Sequence, residues 1–375
     1  MLIRKARKYR IKVRPKQEEL FARFAGCQRF VWNHFLELQQ SRLNQDLYCL
    51  SYADMCKELA ILKKSEKTAF LKEVHSQTLQ QTLKDLDRAL KDAFAKKKKF
   101  PKFKKRGYND SFRFPQGAHM KDSRLYLPKM GWFCFYCSGS IDGTLKNVTV
   151  SRRGTHWFVS IQTEQELIKP SHPSTTRVGI DMGIARFATL STGQYFLPAN
   201  HFSRLELKLA KEQRKLSRKV KFSNNWKKQK LRVLKIHRQI ADARSDYLHK
   251  ISTEISKNHA MVVMEDLKVQ KMSSSTGNRR LNKKILDQGW YEFRRQLEYK
   301  LLWRGGLVMF VDPCNTSRTC PYCRHISSEN RKSQAHFECV QCGFSQHADL
   351  VAACNILMAV GHTVSACGDT RSITV

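Results

Sequence analysis

Val178-Gly179-Ile180-Asp181-Met182-Gly183-Ile184 is the stretch on which the fold turns. A short apolar run carries the chain, extended, into a single carboxylate, and Gly183 lets it turn directly afterwards. Ala185–Leu190 then continues as a second extended segment. Two further apolar runs follow, Ala260–Glu265 and Leu307–Val311, both short enough for buried strands. Between them the period changes to that of helices, over roughly Phe202–Val220, Trp226–Ser256 and Trp290–Trp303, with Gly305-Gly306 as the last stop. Leu205, Leu209, Leu216 and Val220 supply one inner face, and Leu234, Ile240, Tyr247 and Ile251 another. Strands alternating with helices point to an α/β sheet layer.

Acids are scarce in this chain. Its 375 residues hold 69 Lys and Arg against 32 Asp and Glu, a net charge of +37. Such an excess calls for a polyanion, and nucleic acid is the obvious one, although a merely solubilising surface or a membrane surface has the same sign. Yet Asp181 ends one apolar strand, Glu265 ends another, and Asp349 opens a helix in His347-Ala348-Asp349-Leu350-Val351-Ala352-Ala353. Carboxylates on a polyanion-binding surface repel the ligand unless divalent cations bridge the two. A pair of Mg²⁺ ions about 3.5–4 Å apart does so in phosphodiester hydrolysis. The spacing equally allows three unrelated acids, with Asp349 a plain helix N-cap. The pattern does not separate Glu265 from Asp266.

Twelve cysteines are present, four of them in two pairs, Cys320-Pro321-Tyr322-Cys323 and, after fifteen residues, Cys339-Val340-Gln341-Cys342-Gly343. Two such knuckles form a zinc ribbon, in which four thiolates close a tetrahedron around a structural Zn²⁺. The metal replaces a core that so few residues do not build. This usage belongs to a reducing cell interior rather than a secreted disulfide framework. With four thiolates to hand, His325, His336 and His347 are not needed. Cys134 and Cys137 read as small buried hydrophobes on a strand, and Cys314 and Cys354 as core.

The first half differs in texture. Ile3, Lys5, Ile11 and Val13 suggest a basic strand. Leu20 to Leu36, then Tyr52–Leu62, then the stripe Leu79, Leu83, Leu86, Leu90, Phe94 suggest three helices. Lys96–Arg106 ends them, with Pro101 as breaker and Lys102, Lys104, Lys105 and Arg106 interleaved with Phe100 and Phe103. That mixture suits phosphate contact plus base stacking, though a solvated tether reads the same way. Residues 111–165 read as short strands, among them Leu125–Leu127, Trp132–Tyr136, Val148–Val150 and Trp157–Ile161, the last two joined as a hairpin through Gly154. A small β-barrel that also takes in the N-terminal strand is the expectation. No apolar run reaches spanning length, and no apolar segment follows the basic N-terminus, so neither a membrane span nor a secretory signal is expected.

Taken in order, Phe100-Pro101-Lys102-Phe103-Lys104-Lys105, Ser111-Phe112-Arg113-Phe114-Pro115, Gly179-Ile180-Asp181-Met182-Gly183, Glu265-Asp266-Leu267, Thr316-Ser317-Arg318-Thr319-Cys320-Pro321-Tyr322-Cys323, Cys339–Gly343 and Ala348-Asp349 resemble the TnpB family. These are transposon-encoded RNA-guided nucleases related to type V CRISPR effectors. The resemblance covers most of the chain. It implies a multidomain α+β protein: a wedge-like β-barrel from residues 1–14 and 96–170, a helical recognition lobe over 15–95, an RNase H-like RuvC nuclease domain from 171–315 and 345–375, and the zinc ribbon over 316–344. It implies Asp181, Glu265 and Asp349 as catalytic acids holding two Mg²⁺ ions, with Zn²⁺ on Cys320, Cys323, Cys339 and Cys342. The implied partners are a guide RNA from the transposon end and double-stranded DNA bearing a motif beside the target, in the cytoplasm of a prokaryote. Lys208, Lys211, Arg214, Lys215 and Arg218 would line the duplex channel, and Lys271–Gly277 would form a lid over the acids. Arg324 and Val351 depart from the family pattern, which commonly has Gly and Asn there. A guide-dependent DNA-binding regulator and a strand-transferring transposase are the rival readings.

Overall fold

The computed structural model describes residues 2–166, 170–269, 272 and 277–366. It divides into two compact units, Met1–Ile168 and Lys169–Val375. Among the described residues no helix is long and apolar enough to cross a membrane.

In the first unit, strand β1 (Leu2–Lys12) leads into helix α1 (Pro15–Asn44), whose Pro15 takes the first helical position, where a missing N–H costs nothing. Helices α2 (Tyr52–Leu62) and α3 (Ser76–Phe94) follow, α2 capped by Ser51, which accepts from the backbone N–H of Asp54. Six strands complete the unit: β2 (Ser111–Phe114), β3 (His119–Lys121), β4 (Arg124–Leu127), β5 (Gly131–Phe135), β6 (Thr144–Arg153) and β7 (His156–Glu166). The sheet order is β2-β6-β7-β1-β5-β4-β3. Strand β1 holds both halves together: Leu2 to Arg10 pair with β7, and Ile11 and Lys12 pair with β5.

The expected barrel is not found. The ladder is open, with β2 at one edge and the three-residue β3 at the other. The reason lies in how the apolar face is covered. Phe21 of α1 packs edge-on to Phe133 and Trp157 at 5.5 and 5.4 Å between ring centroids, and Phe24 lies 5.4 Å from Phe112. Helix and sheet share one continuous core, so the sheet buries its face without closing on itself. Nor do Cys134 and Cys137 behave as buried hydrophobes. Cys134 is only partly buried, and Cys137 is exposed beside the carbonyl of Gly139.

The second unit is built on a five-stranded sheet of order β10-β9-β8-β11-β12. Strand β8 (Arg177–Asp181) runs antiparallel to β9 (Ala188–Leu190), which pairs with β10 (Tyr195–Phe196). Strands β11 (Met261–Glu265) and β12 (Leu307–Val311) run parallel to β8 and to each other. Helices α4 (His201–Ser217) and α5 (Asn224–Asn258) form a hairpin with a small core of Leu209, Val233, Ile236 and Ile240. Val220, expected inside, is exposed, because α4 ends at Ser217 and leaves it in the turn. Leu234 is also largely outside, its place taken by Val233 and Ile236. Helix α6 (Arg279–Gln288) was not expected. Its signal is Asn278, whose side chain accepts from the N–H groups of Arg280 and Leu281. Helix α7 (Trp290–Arg304) precedes β12. Strands β13 (His336–Glu338) and β14 (Ser345–His347) pair as a hairpin, and helix α8 (Ala348–Ala366) starts at the next residue.

Candidate metal centres

Two clusters of ligating side chains lie in the second unit. The first is thiolate. The four sulfurs of Cys320, Cys323, Cys339 and Cys342 all lie within 4.8 Å of one another. Cys320 and Cys342 are 3.6 Å apart, and Cys323 and Cys339 3.5 Å. A disulfide needs about 2.05 Å, whereas a tetrahedron with Zn–S bonds of about 2.3 Å has edges of about 3.8 Å. The sulfurs are spaced for an ion and not for each other, and the set fits structural zinc. Each knuckle is a tight turn: the N–H of Arg324 donates to the carbonyl of Cys320, and that of Gly343 to Cys339. Both turn residues are left-handed, at φ +64° for Arg324 and +73° for Gly343. Gly343 adopts this freely, whereas Arg324 does so against its own Cβ. Cys314, expected in the core, is exposed, and Cys354 is partly buried.

The second cluster is acidic. Asp181 and Glu265 end neighbouring parallel strands, in register from Met261 opposite Arg177 to Met264 opposite Ile180. Asp349 lies in the first turn of α8. What brings that helix to β8 is Gly179: a Cβ there would stand 2.1 Å from the carbonyl oxygen of Ala353 and 2.8 Å from the nitrogen of Leu357. Only a residue without a side chain lets α8 lie directly on the strand that ends in Asp181.

The electrostatics place Asp181 under the influence of both other acids. Asp181 is pushed up to about 7, first by burial and then by the carboxylates of Glu265 and Asp349, while Arg331 and the N–H of Met182 pull it back. Glu265 is raised by burial, held down by a hydrogen bond from Thr316 and raised again by Asp312. The Thr316 hydroxyl donates to Glu265 at 2.6 Å. Asp349 has His347 as neighbour, its carboxylate 3.9 Å from Nδ1, which accepts from the N–H of Asp349 at 3.2 Å. The acids are set more widely than the thiols; among the described residues only the cysteines gather within 4.8 Å.

Asp266 takes a different course from Glu265. It pairs with Arg294 at 2.6 Å, and that guanidinium also reaches Glu298 and stacks 3.5 Å over Phe310. Asp312 and Arg331 were not singled out from the sequence, and Thr316 only as part of a quoted motif, without this role. Nor was Asn355, whose amide holds the carbonyls of Thr316 and Thr319 at 2.8 and 2.7 Å. The spacing Asp349–Asn355 on one helix is the only trace the sequence holds of that last contact. Val351 is fully buried with Cys320, Phe337, Cys339 and Ala348, in the apolar cluster beneath the thiols.

The basic residues named from the sequence fall into two groups. Lys208, Lys211, Arg214, Lys215 and Arg218 stand exposed on or just past α4, with Lys215 paired to Glu212 at 2.9 Å. Lys102, Lys105 and Arg106 are exposed in the first unit. Lys104 is not: its ammonium sits 3.9 Å over the ring of Trp32, where burial lowers its pKa. Of the stretch 271–277 read as a lid, all but Met272 and Gly277 lies outside the described residues.

An α/β sheet with acids at adjacent strand ends is thus followed by a ribbon whose four thiols fit structural zinc. Comparison with known proteins gives the family. Residues 160–276 match the IS605 OrfB family, described as "Probable transposase", and residues 290–356 match the Cas12f1-like TNB domain. Residues 1–47 match a helix-turn-helix domain of the OrfB family, where the structure has β1 and one unbroken helix. "Putative RNA-guided DNA endonuclease InsQ" of Escherichia coli K12 is 49% identical over 96% of this chain and 94% of its own length. A "Putative RNA-guided DNA endonuclease" of Streptomyces pristinaespiralis is 36% identical over 98% and 92%. "CRISPR-associated endodeoxyribonuclease Cas12f1" of Sulfoacidibacillus thermotolerans is 25% identical over 58% and 54%. The chain belongs to the TnpB family, to which RNA-guided DNA endonucleases are assigned.

Proposed function

We propose that the protein is an RNA-guided DNA endonuclease whose catalytic acids are Asp181, Glu265 and Asp349. The observation that carries this is Asp181, buried and facing the charges of both Glu265 and Asp349 in a chain of net charge +37. A protein so rich in cations pairs its acids with them, yet here three are left close together and half-buried. Oxygen donors of that kind suit Mg²⁺. A pair of ions about 3.5–4 Å apart spreads its ligands more widely than a single coordination sphere, in keeping with the looser spacing of this cluster. When bound, the two ions supply an activated water and stabilise the leaving oxygen of the cut strand.

The remaining work falls to the chain. Asp181 and Glu265 are held rigid at the ends of paired strands, and Asp349 is set by the contact of α8 with Gly179. Thr316 fixes one oxygen of Glu265 and leaves the other free. The order β10-β9-β8-β11-β12, with an antiparallel meander followed by two parallel strands, supports an RNase H-like, RuvC-type domain. Around it the division would be that of the family: a wedge from residues 1–14 and 96–170, a recognition lobe over 15–95, the nuclease domain in two segments, and a ribbon over 316–344. Guide pairing would read sequence, and protein contacts would read backbone shape and the motif beside the target. Guide RNA from the transposon end and target DNA would be held by the exposed cations of α4 and of residues 102–106.

The test is plasmid cleavage with cognate guide RNA and Mg²⁺. Asp181→Ala abolishes cutting and leaves RNA binding intact if the reading is right. Undiminished cutting overturns the triad. DNA bound but left whole by the unaltered protein indicates a regulator, and ends joined into target DNA indicate a strand transferase.

A further inference from the structure

The sheet of the first unit gathers cations and aromatic rings on the face turned away from the core. Lys12 of β1 is directly opposite Cys134 of β5, and Cys134 directly opposite Arg124 of β4. Residues opposite one another in antiparallel strands point to the same side. The period of two then puts Arg10, Trp132 and Tyr136 on that side as well. The alternate residues, Ile11, Leu125, Phe133 and Phe135, are buried in the core. Three strands thus present one row after another of long cations and aromatic rings, with a short cysteine in the middle.

An open cavity of about 620 Å³ lies there, lined by Cys134 with Arg10, Lys12, Arg14, Arg124, Trp132 and Tyr136. No carboxylate is among the lining residues. Trp132 and Tyr136 are 48% and 55% exposed, so each ring keeps open surface beside the cations. The cations are already set against them. Lys12 and Arg10 lie 4.8 and 5.7 Å from the ring centre of Tyr136, and Arg124 lies 6.0 Å from that of Trp132. The backbone behind them is fixed: Tyr136 donates to the carbonyl of Arg10 at 2.8 Å, and Gln17 of α1 donates to the carbonyl of Trp132 at 3.3 Å.

We infer that this pocket binds an unpaired nucleotide of a single strand, its base stacked on Trp132 or Tyr136 and its flanking phosphates on Arg10, Lys12 and Arg124. Exposed rings give a sequence-tolerant platform, since every base has a π-face, and the cations follow the backbone. A paired base in a duplex offers no free face to such rings, so the occupant is a looped, flipped or terminal nucleotide. The site goes beyond the nuclease reading and rests only on the part of it that has the chain bind nucleic acid. RNA and DNA share the chemistry, and the experiment separates them.

Full-length protein is irradiated with single-stranded oligonucleotides carrying 5-iodouridine or 5-iodo-deoxyuridine, and the crosslinked peptides are identified by mass spectrometry. The expected adducts fall on Trp132 or Tyr136, from whichever of the RNA or DNA strands is the native occupant. Trp132→Ala and Tyr136→Ala, both at half-exposed positions and checked for an unchanged melting temperature, each weaken binding of that strand. Loss of one stacked base is expected to cost about 5- to 150-fold, and Phe at either position restores it. Lys12→Gln with Arg124→Gln lowers the slope of log affinity against log salt by about 0.7 for each charge removed. Adducts only elsewhere, with affinity and slope unchanged in these variants, overturn the proposal. Asp181→Ala is run alongside: it loses cutting and keeps the Trp132 adduct, so the pocket and the nuclease site fail or stand separately.

Discussion

The hydroxyl of Thr316 donates to the carboxylate of Glu265 at 2.6 Å, and the amide of Asn355 holds the carbonyl of Thr316 in turn. A hydrogen bond to the charged form favours that form, so Thr316 opposes the burial that raises Glu265. Removing the hydroxyl as Thr316→Val lifts Glu265 further and frees its oxygen to rotate. Outer partners of metal ligands typically matter by about 10- to 100-fold. Mg²⁺-dependent cutting should fall by that order, with its pH profile displaced to higher pH. A variant with unchanged rate and profile separates Thr316 from the site.

Asp181 carries a prediction about stability. Its folded pKa, about 7, lies above the unfolded value near 3.9. Between those values the folded chain binds the extra proton, so Asp181 weakens the fold progressively as pH rises from about 4 to 7. In Mg²⁺-free protein, Asp181→Asn should therefore raise the melting temperature at pH 8 and do little at pH 4. Saturating Mg²⁺ should remove the advantage, since bound cations reward the carboxylate alone. Calorimetry at the two pH values reads both effects.

Gly179→Ala tests the contact that brings α8 to β8. The added methyl would meet a backbone oxygen at 2.1 Å, and backbone gives way less readily than a side chain. Overpacking of this kind costs about 1–3 kcal/mol, and here it also moves Asp349 away from Asp181. Both melting temperature and cutting rate should drop. A cutting rate that survives a clear loss of stability would separate the helix contact from the acid geometry.

Arg324 pays a conformational cost at the first knuckle, where its φ is +64°. A left-handed residue other than glycine stores about 1 kcal/mol or more. Arg324→Gly should release it, slowing zinc loss to a chelator, as followed by a colorimetric zinc indicator. Faster loss would mean that the contact of Arg324 with the sulfur of Met358, at 3.2 Å, outweighs the strain.

The elements that build the thiol and acid clusters are written locally, which is why they were legible. An apolar run ending in an acid, or two cysteines three apart, specifies its own turn or strand whatever surrounds it. Tyr52–Leu62 and Leu307–Val311 coincide with α2 and β12 for the same reason. What escaped depends on residues far apart in the chain. Glu265 and Asp266 are neighbours in sequence, and only Arg294, supplied by α7, draws the second away. The barrel expectation failed because nothing in the strands shows that Phe21 and Phe24 of a helix will cover their inner face. The pocket over Cys134 is assembled from residues 10–14, 124 and 132–136 by a non-consecutive sheet order, and its cations look in sequence like any others.

Strand β14 ends at His347 and α8 begins at Ala348, with no residue between them, and Ala348 is buried in the ribbon's own apolar cluster. The start of α8 is therefore tied at two points, to the ribbon through Ala348 and to β8 through Gly179. If Asp349 is the proposed third acid, stripping the metal that the thiols fit would loosen one of those two moorings and blunt the aim of a carboxylate outside the ribbon itself.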